Sequence, residues 1–213
     1  MRRLILFLFL PALYGAEPQP CGTPQACWDL LERGNGNWWI TGRHLGHPNQ
    51  SPARRLAVAE HQSPFAVVLS CSDSRVPPEV VFDRGVGDLF VIRVAGNVLD
   101  DFAVGSIQYA VQVKKYAKLI VVLGHQRCGA VEAAVDGTSL PNPLALLVKA
   151  LEPAVDASQS WPGNHVENAV DANIYLVAKQ LEEKFKNDGV LVKRKRYSLD
   201  TGRVTDPQPW KPK

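Results

Sequence analysis

Compact apolar runs rich in β-branched residues recur along the chain, each followed by a polar turn and then by helical spacing. Runs at 65–69, 89–94, 119–123 and 190–194 have strand length, and the first and third are apolar at every position. A strand with no polar face is covered on both sides, as parallel strands are. Pro77, Pro78 and Glu79 then open a helix, with proline in its first turn. Residues 164–187 read as a long helix stopped by Asn187, Asp188 and Gly189. Strands with helices between them predict an α/β fold, with a mainly parallel central sheet flanked by helices.

The amino terminus departs from this pattern. Arg2 and Arg3 precede an unbroken apolar run at 4–10, then Pro11, Gly15 and Ala16. Charged, apolar, then small is the layout of a secretory signal peptide, here 1–16, although Tyr14 fits poorly at the minus-three position. The alternative is an ordinary terminal strand or helix. The run is too short to span a bilayer, and no later stretch is apolar enough, so no stable membrane anchor is expected. Export to a bacterial periplasm is the expectation. Loss of Arg2 and Arg3 takes 24 basic residues to 22 against 21 acidic ones, a mature charge near +1. That balance gives no reason to expect nucleic-acid binding. The basic run at 193–196 reads as a solvated edge strand. With 46% hydrophobic and 21% charged residues in 213, the body is globular and large enough for a real core.

Four cysteines are present, and their surroundings divide them. Cys21 and Cys27 lie close together in a proline-rich stretch, where they can close a small disulfide loop in an oxidising compartment. Cys71 instead ends the apolar run at 65–69, where open α/β sheets place ligand sites. His125 and Cys128 follow the run at 119–123, spaced i and i+3 in a turn entering a helix, so both side chains can reach one spot. Two thiolates and an imidazole suit zinc, and three protein ligands leave a fourth position for water. A site closed by a fourth residue, or two inert core cysteines, would use the same residues. Asp73 and Arg75 follow Cys71 closely enough to share its turn. There Arg75 can keep Asp73 ionised and off the metal, beside a bound water. A plain strand-end ion pair is the alternative.

Three segments together resemble the β-class carbonic anhydrases: Cys71 through Asp73 and Arg75 to Glu79, Gly87 to Asn97, and Gly124 through His125 and Cys128 to Gly129. Leu30, Leu31, Gly34 and Asn35 resemble that family's N-terminal helical arm, Gly105 and Tyr109 the helix before the second ligand strand, and Asn168 with 197–204 its C-terminal part. The resemblance runs from about residue 28 to 205. With the signal read at 1–16, it divides the rest into an arm over 17–50 and a zinc-binding catalytic α/β domain over 51–213. It implies one zinc ion per chain on Cys71, His125 and Cys128, with Asp73 and Arg75 as the dyad beside it. Gln62 stands where open-site members carry a substrate-binding glutamine, and Phe90, Tyr109 and Gly129 join it in the pocket. Tyr109 is one residue farther from Cys128 than the family's usual spacing. Much of this pocket lies at a subunit interface in the family, so a homodimer or larger even oligomer is implied. Members that close their site in response to bicarbonate have a tryptophan three residues before the first cysteine. Here that residue is Val68, although Arg93 and Tyr197 match the rest of the switch. Lys195 and Arg196 replace the family's usual Gly-Ala before Tyr197.

The implied reaction is reversible hydration of carbon dioxide to bicarbonate and a proton, a lyase activity. Hydroxide is scarce at neutral pH, and zinc can lower the pKa of water to about 7. Two thiolates blunt that effect, which predicts activity rising toward alkaline pH. His44, His47, His61 and His165 are available to assist proton release. A hydrolase of carbon disulfide or carbonyl sulfide would use the same scaffold. A non-catalytic zinc-stabilised binding protein is the rival from another class. Cysteine redox chemistry is disfavoured, because Cys71 and Cys128 form no Cys-x-x-Cys.

Overall fold

The computed structural model describes residues 21–41 and 48–210. The expected signal at 1–16, and His44 and His47, lie outside the described residues. Five strands form one sheet: β1 (Ala66–Ser70), β2 (Leu89–Arg93), β3 (Leu119–His125), β4 (Leu191–Tyr197) and β5 (Val204–Thr205). Their order is β2-β1-β3-β4-β5, with every pair parallel except β4 and β5. Seven α-helices accompany them among the described residues: α1 (Pro24–Thr41), α2 (Pro52–Ala57), α3 (Pro78–Val81), α4 (Asp101–Gln108), α5 (Gly129–Val135), α6 (Leu144–Ser158) and α7 (His165–Lys184).

The wholly apolar runs become the central strands, and every residue of β1 and β3 is buried. Alternate side chains point to opposite faces of the sheet. Val67, Leu69, Ile120 and Val122 meet Ile107, Val131, Leu151, Ile174 and Leu181 on one face. Ala66, Val68, Val121 and Leu123 meet Trp28, Leu31, Val81 and Phe82 on the other. Each large aliphatic side chain so buried contributes about 1.5–3 kcal/mol. The apolar side chains therefore fix the strand register that brings the ends of β1 and β3 together.

Local chemistry sets the helix boundaries. Asp100 accepts the Ala103 N–H at the start of α4, and Asn164 accepts the Glu167 N–H at the start of α7. A π-helical turn at Tyr109–Val113 extends α4. Such a turn takes up one extra residue, which fits the longer interval from Tyr109 to Cys128. α7 stops at Lys184, a few residues before the expected Asn187, and Gly189 adopts a left-handed φ of 65° beyond it. α1 is the N-terminal arm. Its Asn35 donates to the carbonyls of Val81 and Gly202 and accepts from the Val204 N–H, pinning the arm to the C-terminal hairpin.

The basic run is not solvated as expected. Arg194 pairs with Glu182, and Arg196 with Glu167 and with the buried Asp171. Lys195 pairs with Asp206 and lies 4.3 Å from the Trp28 ring centroid. Alternation along β4 sends the arginines to α7 and the lysines to α1. Cys21 and Cys27 form a disulfide at the start of α1. No helix among the described residues is long and apolar enough to cross a membrane.

Candidate metal centre

Ser70 and Leu123 are paired neighbours, so β1 and β3 run out side by side. Cys71 follows the end of β1, His125 closes β3, and Cys128 caps α5. All three are buried, and their ligand atoms lie within 4.8 Å of one another. The two sulfurs are 3.9 Å apart. His125 Nδ1 lies 2.8 Å from the Gln126 carbonyl, a contact that requires the ring to donate there. That tautomer leaves the Nε2 lone pair free. Nε2 is buried and has no hydrogen-bond partner, the orphan a metal would satisfy. This donor set fits zinc. Among the described residues no fourth side chain joins the cluster.

Cys71 Sγ also accepts the Gly96 N–H at 3.3 Å. The neighbouring Cys128 thiol stabilises the Cys71 thiolate and brings its pKa down to about 4. The same contact, reinforced by burial, pushes Cys128 up. Burial is the largest influence on His125 and disfavours its charge, but the neighbouring Cys71 sulfur, the Gln126 carbonyl and Asp73 together outweigh it, so the imidazole is raised.

Asp73 stands at the mouth of this cluster, its Oδ2 3.8 Å from His125 Nε2. Arg75 holds it with two side-chain bonds, Nη2 to Oδ2 at 2.6 Å and Nε to Oδ1 at 2.9 Å. The Arg75 backbone N–H adds a third at 2.9 Å. These bonds hold the Asp73 carboxyl at about 2, below the ordinary 3.8. Arg93 braces the turn from β2, donating to the carbonyls of Cys71 and Asp73 at 3.0 and 2.5 Å. The Tyr197 hydroxyl accepts from Trp38 Nε1 at 3.1 Å.

Gly129 directly follows Cys128 as the first residue of α5. Gln62 does not converge with the cluster in this chain: it is exposed and precedes β1, whereas Cys71 follows that strand. Phe90 is paired with Val67, four residues before Cys71, or about 13 Å along the strand. Its ring is 6.4 Å from that of Tyr109. His165 turns instead toward the Val155 carbonyl.

Several supporting residues went unread in the sequence. Arg127 lies between His125 and Cys128 with a left-handed φ of 49°. Its N–H donates to Glu167 at 2.9 Å, its carbonyl accepts from Arg75 at 3.3 Å, and its guanidinium grips Asp200 at 2.7 and 3.0 Å. Gly124 admits α7: a Cβ there would lie 2.7 Å from Ile174 Cδ1. Neither strain nor close approach has a signature in a single sequence.

The carbonic anhydrase family model matches residues 66–204. Carbonic anhydrase 2 of Mycobacterium tuberculosis is 37% identical over 197 residues, covering 87% of this chain and 93% of that protein. The carbonic anhydrase of Mycolicibacterium smegmatis is 48% identical over 126 residues, covering 58% and 60% respectively. The solved β-carbonic anhydrase CcaA aligns with a TM-score of 0.62 at 26% identity, over 83% of this chain and 86% of that one. A tetrameric β-carbonic anhydrase of Sordaria macrospora shares the fold, with a TM-score of 0.66 at 22% identity over 85% of this chain and 97% of that one. The chain belongs to the carbonic anhydrase family, and its architecture is that of the β-class structures.

Proposed function

We propose that this protein catalyses the reversible hydration of carbon dioxide to bicarbonate, with one zinc ion held by Cys71, His125 and Cys128. One observation carries the reading: the orphaned Nε2 of His125 lies in a buried cluster with two thiols, while Arg75 holds the nearest carboxylate in an ion pair. Zinc, when bound, supplies the Lewis acidity that makes water a nucleophile at neutral pH. Asp73, ionised throughout the neutral range, accepts a hydrogen bond from the attacking water and orients its lone pair toward carbon. Arg75 keeps that carboxylate from swinging inward. The buried walls contributed by β1 and β3 exclude bulk water from the ligands. Val68 at the tryptophan position, Arg93 bonded to the turn, and Tyr197 bonded to Trp38 favour an open site without a bicarbonate switch.

Gln62, Phe90 and Tyr109 stand apart from Cys71 in one chain, which favours a homodimer whose partner brings such residues to the pocket. β2 is an edge strand among the described residues, and Phe102 on the adjoining α4 is 88% exposed. Export to an oxidising compartment accords with the Cys21–Cys27 disulfide. The test is carbon dioxide hydration by stopped flow on protein of measured zinc content. Turnover that tracks zinc supports the reading. Fully zinc-loaded protein silent toward carbon dioxide but active on carbonyl sulfide or carbon disulfide would replace the substrate, and silence toward all three would leave a binding protein.

A further inference from the structure

We propose that Asn173 is a positioning residue for the metal centre: through the Gly96 turn it directs an N–H onto Cys71 Sγ and so sets how strongly that sulfur donates to zinc. The inference rests on Cys71 being a zinc ligand. Its starting point is the turn at Ala95–Asn97, which follows β2 and passes behind the cluster. Gly96 adopts φ 67°, ψ 16°, and Asn97 follows with φ 45°. Glycine and asparagine reach this conformation at least cost, so the sequence permits the turn and its surroundings decide its attitude. The Gly96 N–H nevertheless points at Cys71 Sγ, 3.3 Å away in a buried setting.

Two contacts hold the turn in that attitude. Asn173, only 4% exposed on α7, donates Nδ2 to the Gly96 carbonyl at 2.8 Å. Leu151 of α6 closes the other side, since a Cβ on Gly96 would lie 3.0 Å from its Cδ1. Asn173 thus fixes one side of the glycine through its carbonyl, and the N–H on the other side reaches the sulfur. A hydrogen bond to a thiolate withdraws part of its charge, leaving the bound metal more acidic. Partners at this remove also orient the ligand.

The experiment is cobalt substitution of the full-length wild-type protein and of Asn173→Leu, which keeps volume and removes the donor. The expected result is folded protein with one cobalt per chain in both. In the variant the sulfur-to-cobalt charge-transfer band moves to longer wavelength, and metal affinity by chelator competition falls about 10-fold. With zinc, kcat falls while KM stays. A folded Asn173→Leu with the wild-type band and affinity overturns the inference and leaves the zinc site standing. Wild-type protein that takes up no cobalt overturns the zinc reading itself, and the inference with it. If Asn173→Leu does not fold, two further measurements decide. In cadmium-113-loaded wild type, coupling between the Gly96 amide proton and the metal supports the N–H to sulfur bond, and its absence overturns the inference. Asn173→Ala loaded with cadmium must weaken that coupling; an unchanged value removes Asn173 from the argument.

Discussion

Asp73 is held at about 2 by three bonds from a single arginine, so it stays ionised across the range in which the protein would work. A carboxylate that reluctant to take a proton serves as an acceptor and orienting group, not as a base near neutrality. Asp73→Asn should keep its metal and lose at least about 100-fold in turnover. Full turnover at full metal content would remove Asp73 from the chemistry. Arg75→Gln frees the same carboxyl, whose titration midpoint should rise toward 3.8 by carboxyl-detected NMR. The stability linked to Asp73 follows the same sign. A depressed carboxyl stabilises the fold above its unfolded pKa of about 3.8, and that contribution is lost as pH falls through about 2. In Arg75→Gln the folded and unfolded pKa values converge, so this contribution largely disappears and stability changes less with pH between about 4 and 2.

α7 frames the centre from one side. Glu167 takes the Arg127 N–H, Asn173 takes the Gly96 carbonyl, and Ile174 packs onto Gly124. Gly124→Ala should therefore cost about 1–3 kcal/mol by forcing helix and strand apart. Adding it to Ile174→Ala should cost little more than Ile174→Ala alone, as read by denaturant unfolding. β4 meets the same helix through charge. Burial pushes Asp171 up to about 6, opposed by Arg196, with Glu167 and the Gln208 N–H as its other neighbours. A raised carboxyl favours folding below its unfolded pKa, and that contribution is lost as pH rises through about 6. Arg196→Ala leaves the charge unpaired, at about 3–5 kcal/mol. Its penalty should be larger at pH 8 than at pH 5, and equal penalties would refute the pairing. Much of this scale was legible from the sequence. Apolar strands ending at Cys71 and His125, with a helix after each, need only local pattern. α6 is harder to read, because Pro141 and Pro143 precede it and Pro153 interrupts its spacing, yet it runs through Pro153. The basic run misled because charge predicts solvent, whereas Glu167, Asp171, Glu182 and Asp206 come from distant positions. Gly96 facing Cys71 depends on tertiary approach, which no single sequence displays.

For the molecule as a whole, the first helix described, α1, and the β4–β5 hairpin lock together over one face of the sheet. α1 bonds to the C-terminal hairpin through Asn35, and the Cys21–Cys27 disulfide fastens the start of that helix. Replacing both cysteines by serine should lower unfolding free energy by about 2 kcal/mol for so short a loop. Zinc stoichiometry should be unchanged, because Cys71 and Cys128 belong to a different region and are free. The far edge has another character. β2 carries Leu89, Phe90, Val91 and Ile92, with no strand beyond it among the described residues, and α4, which follows it in the chain, exposes Phe102. In the proposed homodimer this border would be covered by the partner, and stability would then become a matter of mass action. The thermal midpoint should climb with protein concentration and activity should fade on dilution, so the strength of this enzyme in any setting would depend on how much of it is there.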